Sequence, residues 1–308
     1  MKIPKKVKEI QDFKIEAETG AKSISFSQLS MYLNCPHCWY RSYVLKEAPY
    51  VPSINAVFGT AFHETLQNWL TVLYNDSVKA ANSIDLHQAL LDNLKKVYTA
   101  EKAKLGRDFT TGKEITEFWE DGNAILDFIV KHRLSYFTSK GIVLVGCEIP
   151  IFYKLQDKFY FRGFIDLLTY DTVRDIWKIW DIKTSTRSWS AETKADRVKT
   201  SQVFYYREFL SKQFDIPEEK IEVEYFIVKR KVDEDAEFAS MRKRVQEFVP
   251  RFGPRIKKQL LESLDGFCKT VLGPDGNYRE KDYEKKPSAK NCKWCVFKDT
   301  CVGSKAVL

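Results

Sequence analysis

The chain has 308 residues and a formal net charge of +8, from 50 Lys and Arg against 42 Asp and Glu. Apolar residues make up 44% of the sequence, which excludes a disordered chain, and 13 Gly with 10 Pro exclude a collagen-like or low-complexity one. The length suits one large domain or two modest ones. The mild basic excess permits nucleic acid or an anionic membrane surface as a partner without choosing between them.

No stretch of the sequence stays apolar over the roughly 18 residues that a membrane-spanning helix needs. The basic N-terminus, MKIPKKVKEIQDFK, lacks the apolar region and small-residue cleavage site of a secretory signal. We therefore expect no membrane segment and a cytoplasmic location, which is the host cytoplasm if a phage encodes the chain. The seven cysteines then need an explanation other than a secreted disulfide framework.

The first half of the chain has helical periodicity. Residues 1–22 are charged and weakly patterned, which predicts a tail or an extended arm. Residues 27–45 predict a helix with Ser27 as its N-cap. Apolar residues at spacings of three and four predict three more helices, over 57–74, 86–104 and 114–138.

The pattern changes after Gly141. Segments rich in β-branched and aromatic residues, with short polar breaks, predict three consecutive antiparallel strands, over 142–153, 158–169 and 175–183. A helix over 197–213 and a strand over 221–230 come next. Residues 236–267 predict one long charged helix, kinked near its two prolines, and residues 285–305 are rich in Cys and Lys.

This order of elements predicts a single domain of mixed α/β (α+β) class. Its core has the order α-β-β-β-α-β around a mixed central sheet, with helical flanks and a C-terminal Cys-rich segment. The sequence has no internal repeat and no linker that would divide the chain.

Two aspartates on neighbouring predicted strands indicate a metal site. Asp181 and Lys183 project to the same face of one strand, because residues i and i+2 do so. Asp166 interrupts the apolar run Phe164–Leu168 one strand earlier, where a carboxylate is costly to bury unless it is paired or binds a metal. Such oxygen ligands suit Mg²⁺ or Mn²⁺, and Lys183 is placed to orient water or stabilise charge on a phosphate. The alternative for Asp181 and Lys183 is an ordinary surface salt pair.

Four further residues are candidates for the same site. His63, on the second predicted helix, is either a metal ligand or a solvated structural residue. Gln202 and Tyr206, at i and i+4, share one helix face, which either borders the site or is an ordinary polar face. Glu148, on the first predicted strand, either joins the metal site or faces solvent at an edge.

Taken in order, these residues resemble a known family. They are similar to the motifs of the PD-(D/E)XK nuclease superfamily, in its RecB-like branch, and the resemblance covers residues 24–303. The matching positions are His63, Asp166, Asp181-x-Lys183 and Gln202-x-x-x-Tyr206. The resemblance implies a restriction-endonuclease-like core in one nuclease domain over 1–308, with a helical part (24–140), a catalytic core (141–232) and a C-terminal helix with a cluster-binding segment (233–308).

The resemblance also implies a role for each residue. The implied ligands of the Mg²⁺ or Mn²⁺ ion are His63, Asp166, Asp181 and the backbone carbonyl of Ile182. The implied catalytic residues are Asp166, Asp181, Lys183, Gln202 and Tyr206. Among these, Lys183 would be the catalytic lysine, and Gln202 and Tyr206 would help to place the DNA or the lysine. Glu148 has a weaker counterpart among the metal ligands.

The activity implied by the resemblance is that of a metal-dependent DNA exonuclease. It would hydrolyse phosphodiester bonds at DNA ends or in single strands during replication, recombination or repair. A structure-selective endonuclease is the second expectation. Two rivals belong to other classes: a non-catalytic DNA-binding scaffold subunit with a nuclease-like fold, and a zinc-binding interaction protein.

The cysteines at the C-terminus predict a metal centre of their own. Cys292 and Cys295 have the C-x-x-C spacing and Cys301 follows, while Cys35 can supply a fourth thiolate from the other end of the chain. Four thiolates suit either zinc or an iron–sulfur cluster. A rival zinc site would pair Cys35-x-x-Cys38 with Cys292-x-x-Cys295 and leave Cys301 unused.

The same resemblance favours an iron–sulfur cluster. CRISPR-associated and AddB-type nucleases of the RecB-like branch place one cysteine, followed by proline, near the N-terminus and three near the C-terminus. The implied ligands of a 4Fe–4S cluster are Cys35, Cys292, Cys295 and Cys301. We expect such a cluster to act as a staple that fixes the helical flanks against the core.

Basic residues occur in four runs that suit phosphate contacts, at 228–231, 241–244, 255–258 and 285–293. A solvated helix face explains any single run equally well. Trp189, after the third predicted strand, either stacks on an unpaired base or packs in the core. No base-reading motif occurs in the sequence, so we expect DNA contacts without sequence-specific readout.

Overall fold

The structure, a computed structural model, describes residues 3–301, so residues 302–305 of the predicted Cys-rich tail lie outside it. The helices, in chain order, are α1 Lys5–Asp12, α2 Phe26–Asn34, α3 Pro36–Trp39, α4 Ile54–Asn75, α5 Val78–Asn82, α6 Leu86–Leu105, α7 Gly112–Lys131, α8 Arg133–Tyr136, α9 Ala191–Ala195, α10 Arg197–Thr200, α11 Gln202–Phe214, α12 Ala239–Arg242, α13 Pro254–Val271 and α14 Ala289–Cys292. The strands are β1 Lys22–Ile24, β2 Ile142–Gln156, β3 Phe159–Asp171, β4 Ile176–Ser185, β5 Ile221–Lys229 and β6 Val245–Phe248. A π-helical turn, Tyr40–Val44, follows α3, and a 3₁₀ turn, Glu218–Lys220, precedes β5.

The six strands form one mixed sheet. β2 runs antiparallel along one edge of β3. The other edge of β3 is shared by β1, which is parallel to its start, and β4, which is antiparallel to its end. β4 and β5 are parallel and connected across α11, and β6 closes the sheet antiparallel to β5. The predicted α/β class and the order α-β-β-β-α-β with helical flanks are confirmed.

Helices cover both faces of the sheet, and each face has its own apolar core. Along β4, Ile179 packs in one core and Trp180 and Ile182 pack in the other, as strand alternation requires. The first core joins the sheet to α2, α11 and α13, and the second joins it to α4, α6 and α7. Asp181 and Lys183 alternate with Trp180 and Ile182, so they lie on the face of the sheet that α11 covers.

The long helix predicted over 236–267 is wrong. This stretch contains the short helix α12, the edge strand β6 and only the first part of α13. Pro250 and Pro254 bracket an extended segment, because proline in a helix interior removes a hydrogen bond and clashes with the preceding turn. The open edge of β5 pairs with β6 instead, and Val245 is buried there.

The arm predicted over residues 1–22 is also wrong where the structure describes it, from residue 3 onward. It contains α1, because Val7 and Ile10 lie one turn apart and are buried in the first core. The side chain of Gln11 fixes this helix to the sheet by donating to the backbone oxygen of Val145 at 2.9 Å.

The helix predicted over 27–45 is shorter than expected and has a different cap. Its N-cap is Ser25, whose hydroxyl accepts a hydrogen bond from the Gln28 amide. The helix ends at Asn34, and Cys35 is extended because a residue that precedes proline disfavours helical backbone. The break separates α2 from α3 and turns Cys35 away from the helix axis.

Two glycines in helices allow a matched test of the packing between α4, α6 and α7. We expect Gly122→Ala to destabilise the protein by about 1–3 kcal/mol, since a Cβ there would lie 2.4 Å from Leu90 Cδ2 and 2.9 Å from Phe58 Cε2. Gly266→Ala in α13 has no atom within 4 Å of the added carbon and should stabilise the protein by up to about 1 kcal/mol. Urea unfolding of both variants measures the difference, and a stabilised Gly122→Ala protein would contradict the packing.

Candidate active site

The candidate site forms where β3 and β4 part. Their pairing stops at Leu167 and Trp180, while β4 continues alongside β5 as far as Ser185. Beyond this point the Ile182 amide donates to Asp166 Oδ2 at 2.7 Å instead of to a strand backbone. The side chain of Asp166 thus satisfies an amide that the ladder leaves free, and this explains a carboxylate within an apolar strand.

Three ligand groups converge beside this gap. Oxygen or nitrogen atoms of His63, Glu148 and Asp166 all lie within 4.8 Å of one another, and His63 Nδ1 is 3.9 Å from Asp166 Oδ2. His63 comes from α4, Glu148 from β2 and Asp166 from β3. The imidazole also donates to the backbone carbonyl of Ile182, which places that carbonyl at the site. Glu148 has φ of +52°, which is uncommon for a residue other than glycine, and it is exposed.

Gln67 holds two of these groups in place, and sequence reasoning missed it. Its Nε2 donates to Glu148 Oε1 at 2.7 Å and to the backbone oxygen of Asp166 at 2.9 Å. The residue is buried on α4, one turn after His63. The i, i+4 spacing from His63 was the available signal, because it puts both side chains on one helix face.

A second group extends from Asp181 along the same face of the sheet. Lys183 Nζ lies 2.6 Å from Asp181 Oδ1 and donates to Gln202 Oε1 at 3.0 Å. Gln202 Nε2 in turn donates to the Tyr206 hydroxyl at 2.9 Å. Asp181 is only 1% exposed, and its Oδ2 has no hydrogen-bond partner within residues 3–301. A buried carboxylate oxygen without a partner is costly, and a cation beside it would remove that cost.

Tyr206 reaches this group because a glycine faces it. A Cβ at Gly163 would lie 2.6 Å from Tyr206 Cε1, so any other residue would displace the ring. Glycine in a strand interior commonly marks such a close approach. Sequence reasoning did not select Gly163, although its position within the predicted strand gave this signal.

The charges at the site are arranged to favour an additional cation. Burial raises the pKa of Asp166 and of Asp181 to about 6, although the Lys183 ammonium opposes the shift in both. Burial lowers the pKa of His63, and Lys183 adds to that effect, so the imidazole is neutral and able to bind a metal. Burial lowers the pKa of Lys183, but Asp181 and Asp166 outweigh it and the net shift is upward, so this amine stays protonated.

The donor set fits a divalent cation. A neutral imidazole, two carboxylates and a backbone carbonyl offer the nitrogen and oxygen ligands that Mn²⁺ and Mg²⁺ accept. The seven predicted positions fall into two neighbouring groups. The first holds His63, Glu148 and Asp166, and the second holds Asp181, Lys183, Gln202 and Tyr206. Glu148 rather than Asp181 completes the three-ligand group with His63 and Asp166, since Asp181 pairs with Lys183.

The predicted cluster cysteines line a groove that also includes Lys183 and Gln202. Its lining includes five thiols, Cys35, Cys38, Cys292, Cys295 and Cys301. Cys295 Sγ lies 3.8 Å from Cys38 Sγ, and burial together with Cys295 raises the pKa of Cys38 to about 12. Within the described chain no three cysteines have their sulfurs mutually within 4.8 Å. Asn291 Nδ2 donates to the backbone oxygen of Asn34 at 2.8 Å and joins the two cysteine segments.

Trp189 packs in the core, which is one of the two alternatives for it. It is 8% exposed, and its ring centroid lies 5.1 Å from that of Tyr225. The Lys199 ammonium lies 4.8 Å from the centre of the Trp189 ring.

A comparison with known families agrees with this geometry. The family model of the PD-(D/E)XK nuclease superfamily matches residues 23–302. The chain therefore belongs to this superfamily, whose members are metal-dependent nucleases that act on DNA. A sequence search of curated proteins finds no match. No helix within residues 3–301 is long and apolar enough to cross a membrane.

Gln67 can be tested by metal binding. We expect Gln67→Leu to weaken Mn²⁺ binding about 10- to 100-fold, because Glu148 and Asp166 lose the group that orients them. Isothermal titration calorimetry on the purified protein measures the affinity. Gln213→Leu is the control, since Gln213 also bonds the backbone of β2, at Pro150 and Phe152, but outside the site. Equal Mn²⁺ affinity in the two variants would show that Gln67 does not orient the ligands.

Proposed function

We propose that the chain is a metal-dependent DNA exonuclease of the RecB-like branch, acting on DNA ends or single strands in replication, recombination or repair. The observation that carries the proposal is the pair of linked groups at the parting of β3 and β4. One group offers His63, Glu148 and Asp166 to a cation, and the other holds a protonated Lys183 beside Asp181. A scaffold subunit has no need of an ammonium held beside a buried, unsatisfied carboxylate.

Each residue has a role in hydrolysis of a phosphodiester bond. His63, Glu148 and Asp166 would hold a divalent cation, which would supply Lewis-acid chemistry, and Asp181 adds a buried carboxylate oxygen that lacks a hydrogen-bond partner within residues 3–301. Lys183 remains an ammonium, so it neutralises charge that develops on the phosphate and does not remove a proton from water. The hydrogen bond from Lys183 to Gln202 fixes where that charge lies.

Lys183→Ala tests the catalytic assignment. We expect it to lower the rate of DNA degradation about 10²- to 10³-fold, since one preorganised charge aimed at the phosphate is lost. The measurement is release of label from end-labelled single-stranded and duplex DNA with Mg²⁺ or Mn²⁺. Lys178→Ala is the control, because Lys178 lies on the same strand but pairs with Glu224 away from the site. Equal rates for wild type and Lys183→Ala would contradict the assignment of Lys183 as the catalytic lysine.

The same assay separates the related functions. Degradation of linear but not circular single strands supports an exonuclease, whereas cleavage of closed circles supports the structure-selective endonuclease. DNA binding with no degradation under any metal supports the non-catalytic scaffold.

We also propose that Cys35, Cys292, Cys295 and Cys301 bind a 4Fe–4S cluster, which clips the two ends of a single domain spanning 1–308. The helical part 24–140 and the C-terminal part 233–308 would then be fixed to the catalytic core 141–232. Support comes from the shared groove of these cysteines and from two polar contacts between the segments. These are Asn291 to the Asn34 oxygen and Arg41 to Thr300 Oγ1 at 3.2 Å. The contact of Cys38 with Cys295 favours one alternative, a zinc site that uses Cys38 in place of Cys301.

Two single variants distinguish these metal centres. For the iron–sulfur cluster, we expect anaerobically purified wild type to absorb visible light, Cys38→Ser to retain that absorbance and its iron, and Cys301→Ser to lose both. For the zinc site, colourless protein with one bound zinc should lose the metal in Cys38→Ser and keep it in Cys301→Ser. Elemental analysis and visible spectra provide the measurement. Full metal retention in both variants and in Cys292→Ser would refute a thiolate centre.

A further inference from the structure

A groove of about 560 Å³ leads away from the candidate active site toward the cysteines. Lys183 and Gln202 line it where it meets the site, and α2 forms one side. The segment from Lys285 to Cys301 lines much of the rest, together with residues 35–38 and 189–199. The groove is therefore continuous with the lysine that the proposed function places beside the phosphate.

The lining of this groove is strongly cationic. Its lysines are Lys183, Lys199, Lys285, Lys286, Lys290 and Lys298. The one carboxylate among the described lining residues is Asp196, which pairs with Lys290 at 2.7 Å. Burial lowers the pKa of Lys199, and Lys183 and Lys290 lower it further while Asp196 opposes them. Positive charge is thus concentrated here beyond what the groove itself compensates.

The other basic runs of the sequence do not line the groove, and several of their members also have partners within the protein. Arg230 pairs with Asp121 at 2.9 Å, and Lys257 pairs with Glu218 at 2.5 Å. Arg244 donates to the backbone oxygen of Arg230 at 2.7 Å. Residues 285–293 are the basic run that lines the groove, so their ammonium groups lie beside the space that an anionic chain would occupy.

An exposed indole is among the residues that line the groove. Trp294 is 83% exposed between two of the groove cysteines, and Lys293 Nζ lies 5.2 Å from its ring centre. Trp39 and Trp69, by contrast, are at most 1% exposed. A flat aromatic ring beside ammonium groups is the combination that binds single-stranded nucleic acid, with bases on the ring and phosphates on the lysines.

We propose that this groove binds one single strand of DNA that enters the active site, with a base stacked on Trp294 and phosphates on Lys285 and Lys286. The inference rests on the proposed function and specifies its substrate as an unpaired strand. A duplex keeps its bases paired and stacked, so it offers no free base face to Trp294. Lys286 lies 3.7 Å from Glu284, a long ion pair that leaves its ammonium open to a phosphate.

The test of stacking measures binding of fluorescein-labelled dT12 in EDTA, where metal-dependent cleavage cannot occur. We expect Trp294→Ala to bind about tenfold more weakly and Trp294→Phe to bind nearly as well as wild type. Phe238→Ala is the control, because Phe238 is 62% exposed and lies outside the groove. Bound metal and melting temperature of each variant are measured alongside, so that loss of the cysteine centre is recognised. Unchanged affinity in a metal-replete Trp294→Ala protein would overturn the proposal.

Salt dependence tests the lysines. Lys285→Ala and Lys286→Ala should each lower the slope of log affinity against log salt by about 0.7, as expected for one lost phosphate contact on a single strand. Lys258→Ala, on α13 and outside the groove, should leave the slope unchanged. Wild-type slopes in both groove variants would overturn the assignment of phosphates to these lysines.

Hydrolysis of bis(p-nitrophenyl) phosphate with Mn²⁺ separates this proposal from the proposed function. The small ester needs only the metal site, so Trp294→Ala should hydrolyse it like wild type while degrading dT12 more slowly at subsaturating concentration. Wild type that binds dT12 through Trp294 but hydrolyses neither substrate would refute the nuclease and support the groove. If wild type is active but its affinity for dT12 does not depend on Trp294, the groove proposal is refuted and the proposed nuclease function stands.

Discussion

The hydrogen bond from the Ile182 amide to Asp166 is the contact around which the site is arranged. Where β3 and β4 part, this amide would otherwise lack a strand partner, and a buried amide without one is costly. An aspartate in β3 meets the need and brings a carboxylate to the gap. The carboxylate in β3 and its place beside His63 are thus consequences of the parting of the two strands.

The separation of β3 and β4 also leaves the site with more carboxyl groups than its one ammonium group can neutralise. Two carboxyl groups, Asp166 and Asp181, are removed from water, and their pKa values rise because the charged form is poorly solvated. Lys183 compensates part of this charge, and it is held by Gln202 so that it cannot turn away. A divalent cation would neutralise the negative charge that Lys183 does not compensate. Burying the two carboxyl groups costs free energy, and binding of a metal would offset that cost.

The residues of the candidate site are predictable from the sequence because their anomalies are local. Asp166 stands out as a charge within an apolar strand, and the pair Asp181 and Lys183 obeys strand parity whatever the tertiary structure. Nothing in the sequence around Gln67 is unusual, because a polar residue on a helix is common. Its importance is visible only once β2 and β3 are known to face it. Its function depends on contacts with residues 81 and 99 positions away, which periodicity does not encode.

The prediction of the fold was correct where the apolar pattern was long, and it was wrong where tertiary contacts decide the local structure. The strands β2 to β5 have strong β-branched and aromatic patterns, whereas β6 has four residues and forms because β5 offers an open edge. The charged residues over 236–267 are equally compatible with one long solvated helix and with the short helix, strand and second helix that the structure contains. The N-cap is Ser25 and not the predicted Ser27, because either serine can cap a helix at this point and only the packed helix selects one.

The contact between Asn34 and Asn291 joins positions 257 residues apart, and this has a consequence for how the protein is made. At about 5–20 residues per second, synthesis separates the two positions by roughly 13 to 50 s. The groups around Asp166 and Lys183 can assemble once β5 has emerged, whereas the cationic groove waits for the last part of the chain. Synthesis therefore delivers the residues of the candidate site before the C-terminal segment that lines the groove beside them.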